Sequence, residues 1–175
     1  MTPDLAASVH RRLLNYARAT GRPFNEVLQY FALERFLYRL ARSPYRQSFV
    51  LKGALMLAAW QAPVSRPTRD IDLLGRLDNS PEHIVGVVQE ICRQAAPEDG
   101  LRFDGESVVG EAILEAANYE GVWVRFSCYL GKARVPMQLD IGFGDALVPG
   151  PADVCLPALL DLPSITFAKS VEIAD

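Results

Sequence analysis

The chain has 175 residues, half of them hydrophobic and 22% charged, with a net charge of −3 and three cysteines. This is the length of about one domain and the composition of an ordinary globular protein, and no apolar run approaches the ~20 residues that span a bilayer. Cys92, Cys128 and Cys155 form no CxxC or Cys/His cluster, which argues against a zinc site or disulfide framework and predicts buried, reduced thiols. The N-terminus shows no signal-peptide pattern, so the expectation is a cytoplasmic protein with no membrane segment. The net charge hides an asymmetry. Residues 1–69 hold 11 Lys/Arg against 3 Asp/Glu, a net of +8, whereas residues 70–175 hold 7 against 18, a net of −11. Either the halves neutralise each other on packing, or a basic surface lies beside metal-binding carboxylates and meets a polyanion.

Thr2-Pro3-Asp4 reads as a helix start, and Leu5, Val9, Leu13 and Tyr16 follow at near-helical spacing until Gly21 ends the segment. A second helix is predicted from about Asn25 to Ala41, with Val27, Leu28, Phe31, Phe36, Leu37 and Leu40 on one stripe. Arg35, Arg39 and Arg42 give it a basic edge, read first as a solvated face and second as an RNA contact. Ser43-Pro44 breaks the helix. Phe49–Leu51 is a short strand, Lys52-Gly53 opens an apolar helix over Ala54–Trp60, and Pro63, Ser65 and Pro67 mark a loop. Thr68–Leu74 is a strand, and Ser80-Pro81-Glu82 caps a further helix whose Ile84, Val87, Val88 and Ile91 face inward. Strands are predicted near Ser107–Ile113, Val122–Leu130 and Val135–Ile141, with the period-two alternation of half-buried strands. The fold class is α+β: a mixed or antiparallel sheet flanked by helices, with an N-terminal helical segment. As one domain, the chain divides into helices over 1–45, a sheet-bearing core over 46–163 and an atypical tail over 164–175.

The chemistry concentrates in Arg66-Pro-Thr68-Arg69-Asp70-Ile-Asp72-Leu-Leu-Gly75. Alternation along a strand projects Asp70 and Asp72 from one face, with Cα atoms about 6.6 Å apart. Two like charges side by side repel unless a cation lies between them, and Mg²⁺ prefers one or two carboxylates plus phosphate and water oxygens. The plain alternative is a solvated pair at a strand end. Asp140, on the polar face of another strand beside Gln138, could complete the pair by bridging a cation or accepting a proton from a hydroxyl. Asp145, five residues on, is a lesser candidate. Lys52-Gly53 could cradle phosphate at a helix start. On the residues alone, it reads first as a buried helix start with Lys52 snorkelling outward.

Taken together, LKGA at Leu51–Ala54, RPTRDIDLLG at Arg66–Gly75 and PMQLDIGFGD at Pro136–Asp145 resemble the AbiEii-type nucleotidyltransferase toxins. ALERFLYRLARSP at Ala32–Pro44 and LPALLDLP at Leu156–Pro163 add to the resemblance. It implies a DNA polymerase β-like nucleotidyltransferase fold, with Asp70, Asp72 and Asp140 as catalytic metal ligands for Mg²⁺, or Mn²⁺ in its place. It implies that Lys52, Gly53, Arg66, Thr68 and Arg69 lie about an NTP substrate. It also implies transfer of a nucleotide to an acceptor hydroxyl, with tRNA among the acceptors, and a winged-helix antitoxin partner in abortive infection. The family pattern continues past LLDLP into a Lys-bearing helix and a later acidic motif. Here the chain reads PSITFAKSVEIAD, where Lys169 stands in a pattern that does not fit. The expectation is therefore a copy that lacks the family's C-terminal part. The alternative function is that of an inactive member that binds nucleotide or antitoxin. A DxD phosphatase or glycosyltransferase is disfavoured: the phosphatase pattern wants Thr where Leu74 stands, and the glycosyltransferase pattern lacks an Asp140.

Overall fold

The computed structural model describes residues 3–51, 70–116, 118–143, 152–156, 158–163 and 165–169. Helix α1 spans Pro3–Thr20 and α2 spans Phe24–Arg42. In α1, Val9 and Leu13 are fully buried, with Ala6 and Ala17 completing the stripe. Gly21 takes φ +71°, and the Arg22 N–H donates to the Ala17 carbonyl at 3.1 Å. That is the glycine-dependent turn that closes a helix C-terminus. The predicted N-cap, Thr2, lies outside the described residues.

Helix α2 departs from the amphipathic expectation. Residues 30 through 40 are buried without interruption, the signature of a helix surrounded by protein. The expected solvated basic edge is therefore corrected at two of its three positions: Arg35 and Arg39 are buried, and only Arg42 is exposed. Each buried guanidinium has a carboxylate. Arg35 pairs with Glu34 at 2.7 Å, and Arg39 forks onto both oxygens of Asp99, at 2.8 and 3.2 Å. The Arg39–Asp99 pair joins the basic and acidic halves inside the fold. Arg39 also lies over the Phe103 ring, 4.5 Å from its centroid.

A short 3₁₀ turn, Arg46–Ser48, leads into strand β1, Phe49–Leu51. Strand β2 is Asp70–Gly75, and helix α3 is Pro81–Cys92. The Ser80 hydroxyl accepts a hydrogen bond from the His83 N–H at 3.2 Å, which is the predicted cap. Strands β3 (Leu101–Glu115), β4 (Asn118–Leu130) and β5 (Ala133–Phe143) are longer than the sequence suggested. They form an antiparallel meander, and Gly131 at φ +60° turns β4 into β5. Strands β6 (Ala152–Leu156) and β7 (Ile165–Lys169) follow, so the stretch after residue 163 supplies a strand to the sheet.

Among the described residues, seven strands run in the order β3-β4-β5-β2-β1-β7-β6. The β2–β5 and β1–β7 pairs are parallel and the others antiparallel, so the α+β sheet is mixed. Alternation decides its two faces. Val122, Val124, Phe126, Cys128 and Leu130 of β4 join Val135, Met137, Leu139 and Ile141 of β5 in one core with the three described helices. Phe36 seals it against Phe126 and Phe103, with ring centroids 5.1 and 5.8 Å apart. The alternate residues of β4, β5 and β2 are left to the opposite, polar face.

Cys92 and Cys128 are free and buried, as expected for structural thiols, while the Cys155 side chain lies outside the description. Burial pushes the Cys92 thiol up to about 12 and raises that of Cys128 as well. Only the thiolate reacts. Both are therefore expected to resist a disulfide-exchange reagent at mildly alkaline pH and to titrate only on unfolding. Rapid labelling of either in the native protein would contradict their placement in the core.

Candidate active site

Strand β2 has the predicted facing. Ile71 and Leu73 are 1% exposed and enter the core, whereas Asp70 is half-buried and Asp72 exposed on the other face. The sequence does not show which strand lies beside this pair. In the structure it is β5, parallel, with Asp70 opposite Gln138 and Asp72 opposite Asp140. Neighbouring strands stand about 4.8 Å apart, so Asp72 and Asp140 are adjacent across the ladder. The three predicted carboxylates share one sheet face.

Gln138 sits among them. Its amide N–H group donates to Asp140 Oδ1 at 3.2 Å and reaches Asp70 Oδ2 at 3.5 Å. Its carbonyl oxygen faces Arg125 Nε at 3.5 Å. The longer contacts lie at the limit of useful hydrogen bonds, so they orient these groups without locking them. Arg125 comes from β4, opposite Gln138, and Trp123 of β4 lies opposite Asp140. Arg125 is also 3.7 Å from Glu111, but both side chains are more than half exposed, and such a pair contributes little to stability.

The donor set can be tested against a metal. Carboxylate oxygens suit a hard divalent cation, and one or two are enough for Mg²⁺ when phosphate and water supply the rest. Asp70, Asp72 and Asp140, on one sheet face, meet that requirement by type. Among the described residues, no three His, Cys, Asp or Glu side chains close on a single point as they stand. Instead, the Gln138 amide bridges Asp70 and Asp140. The residues thus fit a cation held by two of the three carboxylates, with the third on the same face.

Lys52, Gly53, Arg66, Thr68, Arg69 and Asp145 lie outside the described residues. The backbone of Lys169 pairs with Leu51 across β7 and β1. Trp123 and Arg125 of β4 and Gln138 of β5 carry no local mark of a site in the sequence. The signal that could have singled them out is their place on the same alternation as Asp140, which becomes useful once the β4–β5 register is known.

Beside the carboxylates opens a groove of about 800 Å³ that starts at Asp70 and Gln138. It passes Arg125, Ser127 and Arg134 and ends against Asn25 and Gln29 at the start of α2. Gln29 secures this end by donating to the Pro136 carbonyl at 2.9 Å. Among the described residues, no helix is long and apolar enough to cross a membrane.

Residues 35–173 match the family model described as nucleotidyl transferase AbiEii toxin, type IV TA system. No curated protein matches the chain. The family match takes in α2 from Arg35 onward and every strand of the sheet, with the three carboxylates inside it. On that span, the chain belongs to the AbiEii family of nucleotidyl transferase toxins of type IV toxin–antitoxin systems.

Proposed function

We propose that the carboxylate face of β2 and β5 carries out metal-dependent transfer of a nucleotide from an NTP to an acceptor hydroxyl, with release of pyrophosphate. The reading rests on the register that sets Asp72 beside Asp140, with Asp70 on the same face. Asp70 and Asp72 would hold Mg²⁺, or Mn²⁺ in its place, with Asp140 as the third acidic group. A bound dication neutralises the triphosphate and stabilises the attacking and leaving oxygens. The protein's own part is positioning. Ile71 and Leu73, packed in the core, fix the strand that carries the pair, and a reaction of this kind depends on placement and charge more than on covalent chemistry. Asp140 would accept the proton of the incoming hydroxyl. Strand β1 brings the chain to Leu51, opposite Leu73. Lys52 and Gly53 follow it in sequence, and Arg66, Thr68 and Arg69 precede Asp70. We assign these five residues to the triphosphate. An RNA such as tRNA is the proposed acceptor class, and the family's toxin–antitoxin character supports an antitoxin partner.

A second reading is a protein that binds nucleotide or antitoxin without turnover. It is favoured by the side-chain arrangement, in which no three acidic groups among the described residues close on one point. Calorimetry tests the site directly, using ATP, GTP, CTP and UTP with and without Mg²⁺. Binding is expected to require Mg²⁺ and to be lost in Asp70→Asn while the circular dichroism spectrum is unchanged. Undiminished binding by that variant removes the site assignment. Binding without pyrophosphate release under any acceptor supports the second reading.

A further inference from the structure

The groove beside the carboxylates has an orientation that bears on which substrate lies in it. The sheet order β4-β5-β2-β1 sets Asp140 between two sides. On one side are β2 and β1, with the chain that continues into Lys52 and Gly53. On the other is β4, which presents Trp123 and Arg125. Trp123 is 37% exposed, high for an aromatic on a central strand, and it lies directly across from Asp140. Arg125 rests over its ring, 5.7 Å from the centroid. Exposed Val109 of β3 adjoins both, in a shallow hollow that also takes in Gly110 and Glu111. Further along the groove is Arg134, an exposed cation whose Nε donates to Ser127 Oγ at 2.9 Å. A flat aromatic surface followed by spaced guanidinium and hydroxyl groups matches the base-then-phosphate repeat of a single polynucleotide strand. Besides Asp70 and Asp140 of the site itself, two carboxylates lie near this path. Glu111 is at 3.7 Å from Arg125, and Glu26 at the far end is paired with Arg22 at 3.2 Å, so the path between them is left to Arg125 and Arg134.

We propose that this groove, with the hollow at Trp123 that adjoins it through Val109 and Arg125, is the acceptor track: the end of a single-stranded RNA stacks its terminal base on Trp123, which sets its hydroxyl at Asp140, and its preceding phosphates lie along Arg125 and Arg134. The inference rests on the transferase reading for its direction, but its binding test needs neither metal nor NTP. The probe is a fluorescently labelled single-stranded oligoribonucleotide with a free 3′ hydroxyl, titrated with the full chain and followed by anisotropy. Trp123→Ala is expected to weaken binding about tenfold or more, because a base–aromatic stack contributes that much, while Trp123→Phe retains most of the affinity. Arg134→Ala is expected to lower the slope of log affinity against log salt by about 0.7, the loss of one phosphate contact on a single strand. Calorimetric binding of Mg²⁺-NTP is expected to be unchanged in both Trp123→Ala and Arg134→Ala.

Three results overturn the proposal. In the first, RNA affinity is indifferent to Trp123→Ala and Arg134→Ala. In the second, Trp123→Ala abolishes NTP binding and spares RNA binding, which makes the surface a pocket for the nucleotide base. In the third, the folded wild type does not bind RNA, which points to a different acceptor class. Failure of the metal site is seen separately, as NTP binding that does not respond to Asp70→Asn.

Discussion

Asp72→Asn is expected to slow nucleotide transfer about 10³-fold or more, roughly 4 kcal/mol in the barrier, while leaving the unfolding midpoint almost unmoved. The two effects separate because of where the residue sits. Asp72 is exposed on the polar face of β2, and the strand is anchored by Ile71 and Leu73 on the other face. Asn keeps the shape and the strand but removes the charge that balances a dication beside Asp140. In a reaction that depends on neutralising a triphosphate, that loss falls on the transition state. The measurement is pyrophosphate release from labelled NTP with an RNA acceptor, with thermal unfolding run in parallel. Transfer within tenfold of wild type in a fully folded variant would remove Asp72 from the reaction. The same assay on Gln138→Ala is informative. If the amide only orients Asp70 and Asp140, as its 3.2 and 3.5 Å contacts suggest, the loss should be far smaller than for Asp72.

Arg35→Met is expected to cost about 3–5 kcal/mol of stability, the usual result of stripping one partner from a buried ion pair. Glu34 and Arg35 are each 1% exposed, and together they hold the segment before β7. Glu34 Oε1 accepts from the Leu159 N–H at 2.8 Å, and Arg35 donates to the Pro163 carbonyl at 2.9 Å. Removing the guanidinium strands a carboxylate in the core and frees the segment at one end. Removing both charges, as in Glu34→Gln with Arg35→Met, should cost less than Arg35→Met alone, because no uncompensated charge is left behind. Urea unfolding of the two single variants and the double variant measures the difference as a coupling energy. The pair also has a pH signature. Burial holds the Glu34 carboxyl above its ordinary value of 4.5, although Arg35 pulls it the other way. An acid whose pKa is raised on folding binds more protons in the native state over that interval. Its ionisation then lowers stability as pH rises. Wild type should therefore gain stability relative to Glu34→Gln as pH falls through the raised pKa toward 4.5. A difference that runs the other way would show that Arg35, and not burial, dominates the site.

Periodicity is information about a single element, and it served where one element sufficed. Period two in Asp70-Ile71-Asp72 set the carboxylates on one face and Ile71 in the core. The same pattern in β4 and β5 separated Val122, Val124 and Phe126 from Trp123 and Arg125. Local chemistry marked the ends: Gly21 closes α1, and Ser80 caps α3. Contacts between distant elements could not be read this way. Nothing local places Asp140 beside Asp72, since that adjacency depends on a parallel pairing of strands far apart in the chain. Arg35 and Arg39 were misplaced for the same reason. A helix whose apolar stripe is interrupted by arginines looks half-solvated until Glu34 and Asp99 appear as buried partners. The two short strands β6 and β7 escaped notice because their pairing lies with each other and with β1, and neither shows a long alternation of its own.

The sheet also carries a history of its assembly. Strands β3, β4 and β5 are near neighbours in sequence as well as in space, and such hairpin pairings close quickly. The pairing of β2 with β5 joins residues 68 positions apart, and the loop that must close for it is costly before any contact offsets it. A growing chain therefore has Asp70 and Asp72 in place in its sequence long before Asp140 leaves the ribosome. The three meet only when the parallel ladder zips. In pulse-labelling hydrogen exchange during refolding, the amides shared within the β3–β4–β5 meander should become protected before those shared by β2 and β5. Whatever keeps β2 from pairing with β5 therefore leaves Asp70 and Asp72 apart from Asp140 in an otherwise folded meander.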